Sequence, residues 1–211
     1  MPNFQSEFPL DHTLCYLNHA AVAPWPLRTT QAITAFAQEN NTFGATNYLK
    51  WLKVETTLRQ QLKTLLNAES TDEIALQKNT SEGLSAIAYG IEWKKGDSIV
   101  ISDQEFPSNR IVWESLADKG VRVITAELDN NSPEASIIEA CDTSTRLISI
   151  SSVQYGTGVR INLKKIGEHC KQQGILYCID AIQSLGAVPM DVQEIGCDFV
   201  VADAHKWMLG P

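Results

Sequence analysis

Residues 175–207 read ILYCIDAIQSLGAVPMDVQEIGCDFVVADAHKW, and two short apolar runs in this stretch end in polar residues. The first, ILYCI, runs into Asp180; the second, FVVA, runs into Asp203 and then His205-Lys206-Trp207. Apolar runs of this length, closed by polar or turn residues, read as strands of a sheet buried on both faces. Lysine is among the residues least often buried, so Lys206 beside Trp207 and Met208 has two readings. Either its stem snorkels along apolar neighbours, or its nitrogen is kept for chemistry.

Working outward, the same alternation continues. DSIVIS (97–102), VRVITAEL (121–128) and RLISISSV (146–153) are strand-like, and EIALQ (73–77) is a further strand candidate. Helical spacing lies between them, in SEGLSAIAYGIEW, SNRIVWESLADKG, SPEASIIEAC and NLKKIGEHCKQQG. Two longer helical patterns precede the first strand. One runs over 27–43 through Ile33, Phe36 and Ala37; the other carries Tyr48, Trp51, Leu52, Leu58, Leu62, Leu65 and Leu66 on one stripe. Short apolar strands alternating with amphipathic helices make βαβ units. The fold class is therefore α/β, with a mostly parallel sheet flanked by helices.

Composition narrows the function. The 211 residues carry 17 Lys and Arg against 25 Asp and Glu, a net charge of −8. No basic run exists to hold a phosphate backbone, so nucleic acid is not an expected partner. No apolar run is long enough to span a bilayer. Five cysteines without a C-x-x-C or paired-His spacing predict no disulfide framework and no metal site. A cytoplasmic protein with reduced thiols is expected.

In a parallel sheet, ligands bind beyond the carboxyl ends of the strands. Those positions hold Asn79-Thr80-Ser81-Glu82-Gly83, Glu105-Phe106-Pro107, Gln154-Tyr155-Gly156, Asp180-Ala181-Ile182-Gln183 and Asp203-Ala204-His205-Lys206. Each has an ordinary explanation. Thr80 or Ser81 is an N-cap, Phe106 is core, and Asp180 caps a loop. Together they match one ligand, pyridoxal 5′-phosphate: a helix start for its phosphate, an aromatic ring to stack on it, a carboxylate for its ring nitrogen, a side-chain amide and a lysine for its aldehyde. A nucleotide fits poorly, because neither G-x-G-x-x-G nor a P-loop is present.

The stretch from Ile179 to Trp207, with its D-x-x-Q-S-x-G…D-x₆-H-K pattern, resembles the class V aminotransferase superfamily. YLNHAAVAP (16–24) and KNTSEGLSAIA (78–88) extend the resemblance over nearly the whole chain. It implies the pyridoxal-phosphate fold type I, with a seven-stranded, mostly parallel large domain cut off before a small C-terminal domain. Residues 1–30 would contribute to the small domain and the substrate pocket, and 31–211 would form an incomplete cofactor-binding domain. By the same resemblance Lys206 is the Schiff-base lysine, Asp180 bonds the pyridine nitrogen and Gln183 the phenolic oxygen. Thr80, Ser81 and His205 hold phosphate, Phe106 stacks on the ring, and Gln154 points at cofactor or substrate. Asn18, His19 and Ala20 line the substrate pocket. The implied protein is a homodimer when full length, acting on a small amino acid by transamination, epimerisation or lyase chemistry.

Two departures bear on the activity. Cysteine desulfurases typically carry a proton-transferring histidine where this chain has Phe106, which weakens a desulfurase or selenocysteine lyase reading. Many relatives have Ser or Thr at Asp203, where a carboxylate would repel phosphate, so Asp203 is expected to turn away or be paired. A non-catalytic or truncated binding module remains an alternative.

Overall fold

The computed structural model describes residues 4–129 and 131–211. Among them, five strands form one sheet: β1 Ser98–Ser102, β2 Arg122–Ala126, β3 Thr145–Ser151, β4 Leu176–Asp180 and β5 Phe199–Val201. Every pairing is parallel, and the order is β2-β1-β3-β4-β5. The helices are α1 Leu27–Phe43, α2 Tyr48–Leu66, α3 Thr80–Gly90, α4 Ser108–Glu114, α5 Pro133–Glu139, α6 Leu163–Gln173 and α7 Val192–Ile195.

The central strands are buried along most of their length because both faces are covered. Ile99 and Ile101 of β1 pack with Leu84 and Ala88 of α3 and with Val112 and Trp113 of α4. Val100, pointing the other way, joins Ile137 of α5 and Ile166 of α6. The same alternation splits β4, with Tyr177 and Ile179 on one side and Cys178 on the other. Each fully buried isoleucine or leucine contributes about 1.5–3 kcal/mol, which makes this double-sided core the stable frame for the loops above it. By contrast α1 and α2 bury no residue. The turn after α2 is tied to the start of α7, where Asn67 Nδ2 donates to Asp191 Oδ2 at 2.8 Å and Gln193 Nε2 donates to the Asn67 carbonyl at 2.7 Å.

Two expectations are corrected. The sheet has five strands rather than seven among the described residues. EIALQ is not a strand: Thr71–Glu73 is a 3-10 turn, and 74–77 join no ladder. Ile74 is buried but Leu76 is exposed. Alternating apolar residues favour an extended chain, yet a strand exists only where a neighbour supplies its hydrogen bonds. No helix among the described residues is long and apolar enough to cross a membrane.

Candidate active site

The loops leaving β1 and β3 diverge, because β1 leads outward to β2 and β3 leads the other way to β4. Beside this reversal, over the carboxyl ends of β3, β4 and β5, lies a cavity of about 530 Å³. Asn18, Ala20, Thr80, Ser81, Phe106, Asp180, Gln183, His205 and Lys206 line it, together with Ser151, Tyr155 and Asp203. A larger cleft of about 1000 Å³ lies between the end of α2 and the 184–195 segment, but none of its lining side chains is a buried polar group lacking a partner.

The start of α3 lines the cavity through Asn79, Thr80 and Ser81. The sequence suggested Thr80 or Ser81 as its cap; the structure gives that role to Asn79, whose Oδ1 accepts from the Glu82 N–H at 2.9 Å. Glu82 reaches back to the Lys78 N–H at 2.6 Å, a reciprocal arrangement close to a capping box. With the cap taken by Asn79, the buried Thr80 hydroxyl has no partner. Gly83 is required here because a β-carbon would lie 2.7 Å from Val201 Cγ1, and that close approach seats α3 on β5.

Asp180 closes β4 and also lines the cavity. It is 1 % exposed; Oδ1 accepts from the Ile182 N–H at 3.0 Å, and Oδ2 has no partner. Burial pushes its carboxyl up to about 7; the Ile182 N–H opposes that, the charge of Glu105 adds to it, and Lys206 opposes it again.

Lys206 is 9 % exposed, so the snorkelling reading gives way to a buried amine. Burial lowers its pKa, while Asp180 and Asp203 pull in the opposite sense. Its nitrogen sits 6.0 Å from the centre of the Phe106 ring. The loop carrying it is held by close backbone contact. Gly186, at φ +98°, lies so near the Trp207 carbonyl that a β-carbon would stand 2.6 Å from the oxygen. The glycine of the Q-S-x-G pattern is thus a packing requirement of the lysine loop. Ala23 N–H donates to the His205 carbonyl at 2.8 Å, tying the early loop to the same place.

Asp203 is paired, as the sequence suggested, with His205 Nδ1 3.1 Å from its Oδ2. Gln183 gives an Nε2 hydrogen to the Ala20 carbonyl at 3.0 Å, so the amide also anchors the early loop. Two expected site residues stand outside the cavity lining. His19 stacks on Trp207 with ring centres 5.6 Å apart, and Gln154, 1 % exposed, donates to Ser102 and Glu105 behind the wall. Sequence reasoning assigned no role to Tyr155, whose ring meets Phe106 edge-on at 5.1 Å; its place beside Gln154 after β3 was the available signal.

Unpaired buried atoms are rare in folded proteins and each asks for a partner. The acceptor Asp180 Oδ2 and the hydroxyl of Thr80 make that demand on the one cavity that Lys206 also lines. A ligand that carries an N–H donor, an anion and an aldehyde meets it, and pyridoxal phosphate has all three. Among the described residues no cysteine lines the cavity. Burial raises the Cys141 and Cys197 thiols to about 11 and Cys170 to about 12, so none of these three is disposed to be a thiolate.

The profile of the family described as aminotransferase class-V matches residues 15–211. The chain belongs to that family. Class V aminotransferase-fold proteins work with pyridoxal phosphate. A probable cysteine desulfurase of Methanothermobacter thermautotrophicus is 35 % identical over 211 residues, covering 97 % of this chain and 52 % of that protein. Among solved structures, C-DES with glycine covalently linked to its PLP cofactor superposes with a TM-score of 0.91 at 24 % identity, covering all of this chain and 57 % of that one. The cysteine desulfurase CsdA from Escherichia coli superposes at 0.87, also at 24 % identity, covering 99 % of this chain and 55 % of its own. At that identity these likenesses establish the fold. The chain spans about half the length of the curated relatives it matches.

Proposed function

We propose that this protein holds pyridoxal phosphate in the cavity and acts on the α-carbon of an amino acid. Cysteine or another sulfur-bearing amino acid is the substrate class favoured by the relatives' names, with lyase chemistry the favoured outcome over transamination and epimerisation. The observation that carries the reading is the convergence of the buried Lys206 amine, the unpaired Asp180 oxygen and the unpaired Thr80 hydroxyl on one cavity.

When bound, the cofactor supplies an electron sink for the substrate α-carbon. The protein's part follows from its own groups. Lys206 would hold the cofactor at its aldehyde and is the group placed to take a proton at Nζ; burial lowers its pKa, which favours the free amine that a base needs. Asp180 Oδ2, which has no partner of its own, would hold the ring nitrogen, and a cation held there would favour the ionised carboxylate. Thr80, Ser81 and His205 line the cavity and would hold the phosphate, and Asp203 is paired with His205. Phe106 and Tyr155 meet edge-on and line the cavity with rings that are 46 % and 51 % exposed. Phe106 cannot carry a proton, so a desulfurase in which this position transfers one is disfavoured.

The same reading makes residues 1–30 part of the substrate pocket, through Asn18 and Ala20, and makes 31–211 the cofactor-binding domain. It also includes a homodimer, testable by sedimentation. Purified protein is expected to be yellow, with borohydride fixing the colour to the peptide bearing Lys206. A colourless protein that gains no absorbance on adding pyridoxal phosphate sinks the cofactor assignment. A panel assay separating sulfide release, keto-acid formation and racemisation then decides the reaction.

A further inference from the structure

The crevice at the β1/β3 reversal, where an open parallel sheet ordinarily takes its ligand, is filled in this protein by a carboxylate. Glu105 is 7 % exposed and every contact it makes is with a donor. Its Oε1 accepts from Ser102 Oγ at 2.8 Å, Gln154 Nε2 at 3.0 Å and the Ser151 N–H at 3.0 Å. Its Oε2 accepts from Asn109 Nδ2 at 2.8 Å and Ser151 Oγ at 2.5 Å. Asn109 is itself held through Oδ1 by Ser149 Oγ at 2.6 Å and Trp113 Nε1 at 3.0 Å. One side chain therefore joins the end of β1, the first turn of α4 and the end of β3.

Two consequences reach the cavity. Ser151 is part of its wall, and Phe106 follows Glu105 directly in the chain. With residue 105 drawn into the crevice, the Phe106 ring is turned out over Lys206. The Gln154 amide is also set in one sense: Nε2 is spent on Glu105 and Ser102, and Oε1 is the atom left without a partner.

We propose that Glu105 is the positioning residue of this cavity, anchoring β1 to β3 and fixing the Gln154 amide behind the wall so that Phe106 stands over Lys206. The inference rests on the cofactor reading above for its effect on binding, but not for its geometry. Only an acceptor-only group suits the position, because glutamine in place of Glu105 brings an NH₂ against the N–H donors of Asn109 or Gln154.

The test uses the protein as its gene encodes it, with pyridoxal phosphate affinity, circular dichroism of the bound cofactor and thermal midpoint as readouts. E105Q is expected to weaken cofactor binding about tenfold, as loss of a supporting shell commonly does, and to diminish the cofactor's circular dichroism. In an F106A background the further effect of E105Q on affinity is expected to fall below about twofold, since the two act through one ring. A lowered thermal midpoint with affinity and dichroism unchanged, or effects of E105Q and F106A that simply add, overturns the proposal. If E105Q does not fold, E105D is read by the same criteria. If the unaltered protein takes up no cofactor, the cofactor reading falls instead. The side-chain amide resonance of Gln154 in the cofactor-free protein then decides the geometry: it must move in the Glu105 variant, and an unmoved signal overturns the clamp.

Discussion

Two buried carboxylates stand at the ends of β1 and β4, on either side of β3, with opposite surroundings. Glu105 after β1 has both oxygens filled by donors from three elements. Asp180 at the end of β4 has one oxygen on the Ile182 N–H and the other on nothing. Burial alone does not separate them, at 7 % and 1 % exposure. Satisfaction does. A saturated carboxylate is scaffold, because a ligand would have to displace existing bonds; a half-satisfied one is an acceptor waiting for a donor.

The largest expected effect falls on the amine that faces the unsatisfied side. Lys206→Ala should abolish covalent capture by borohydride entirely, read as loss of the labelled peptide in mass spectrometry; a surviving adduct would assign the bond to another lysine. Asp180→Asn comes next. It removes the charge that pairs with a ring N–H and should weaken cofactor binding by about 100-fold, the scale of breaking a buried ion pair.

The same variant has a pH signature in cofactor-free protein. The folded pKa of Asp180, about 7, lies above its usual 3.8, so the folded state favours the protonated form. The stability tied to that proton is fully present below about pH 4 and is lost as pH rises through 7. The thermal midpoint should therefore fall across that window more in the unaltered protein than in Asp180→Asn. Equal slopes would mean that Asp180 is not the group responsible.

Thr80→Val tests the other orphan. Removing one hydroxyl to a charged acceptor should weaken cofactor binding about tenfold, while cofactor-free stability changes little because no existing bond is lost; a large fall in the thermal midpoint would show that Thr80 serves the fold instead. The smallest effect is expected at Phe106→His, which keeps a flat ring. Affinity should stay within about threefold, and sulfide release gained by this variant alone would identify residue 106 as the point where this chain departs from a desulfurase.

Much of the frame was legible from the chain. Largely apolar runs such as SIVIS and LYCID announced strands because a sheet covered on both faces buries successive side chains on either side, and α3, α4, α5 and α6 followed from helical spacing. EIALQ misled for the same reason in reverse, since local pattern describes a conformation but not a neighbour. At the site, Lys206, Asp180 and Thr80 stood out as strand-end or helix-start residues. The cap at Asn79, the choice of His205 as the partner of Asp203 and the retreat of Gln154 behind the wall did not, because each depends on which polar atoms the fold brings within reach.

By itself, then, the sequence determined the order of strands and helices and the set of polar residues carried to the rim, since both follow from local periodicity and from the rule that ligands meet the carboxyl ends of parallel strands. Only the tertiary structure decided which of those residues are spent and which are free. Glu105 and Asp180 are both acidic residues after an apolar run, and what makes one a clamp and the other an open acceptor is a set of donors from β1, β3 and α4, up to 49 positions away in the chain, that no local pattern brings together.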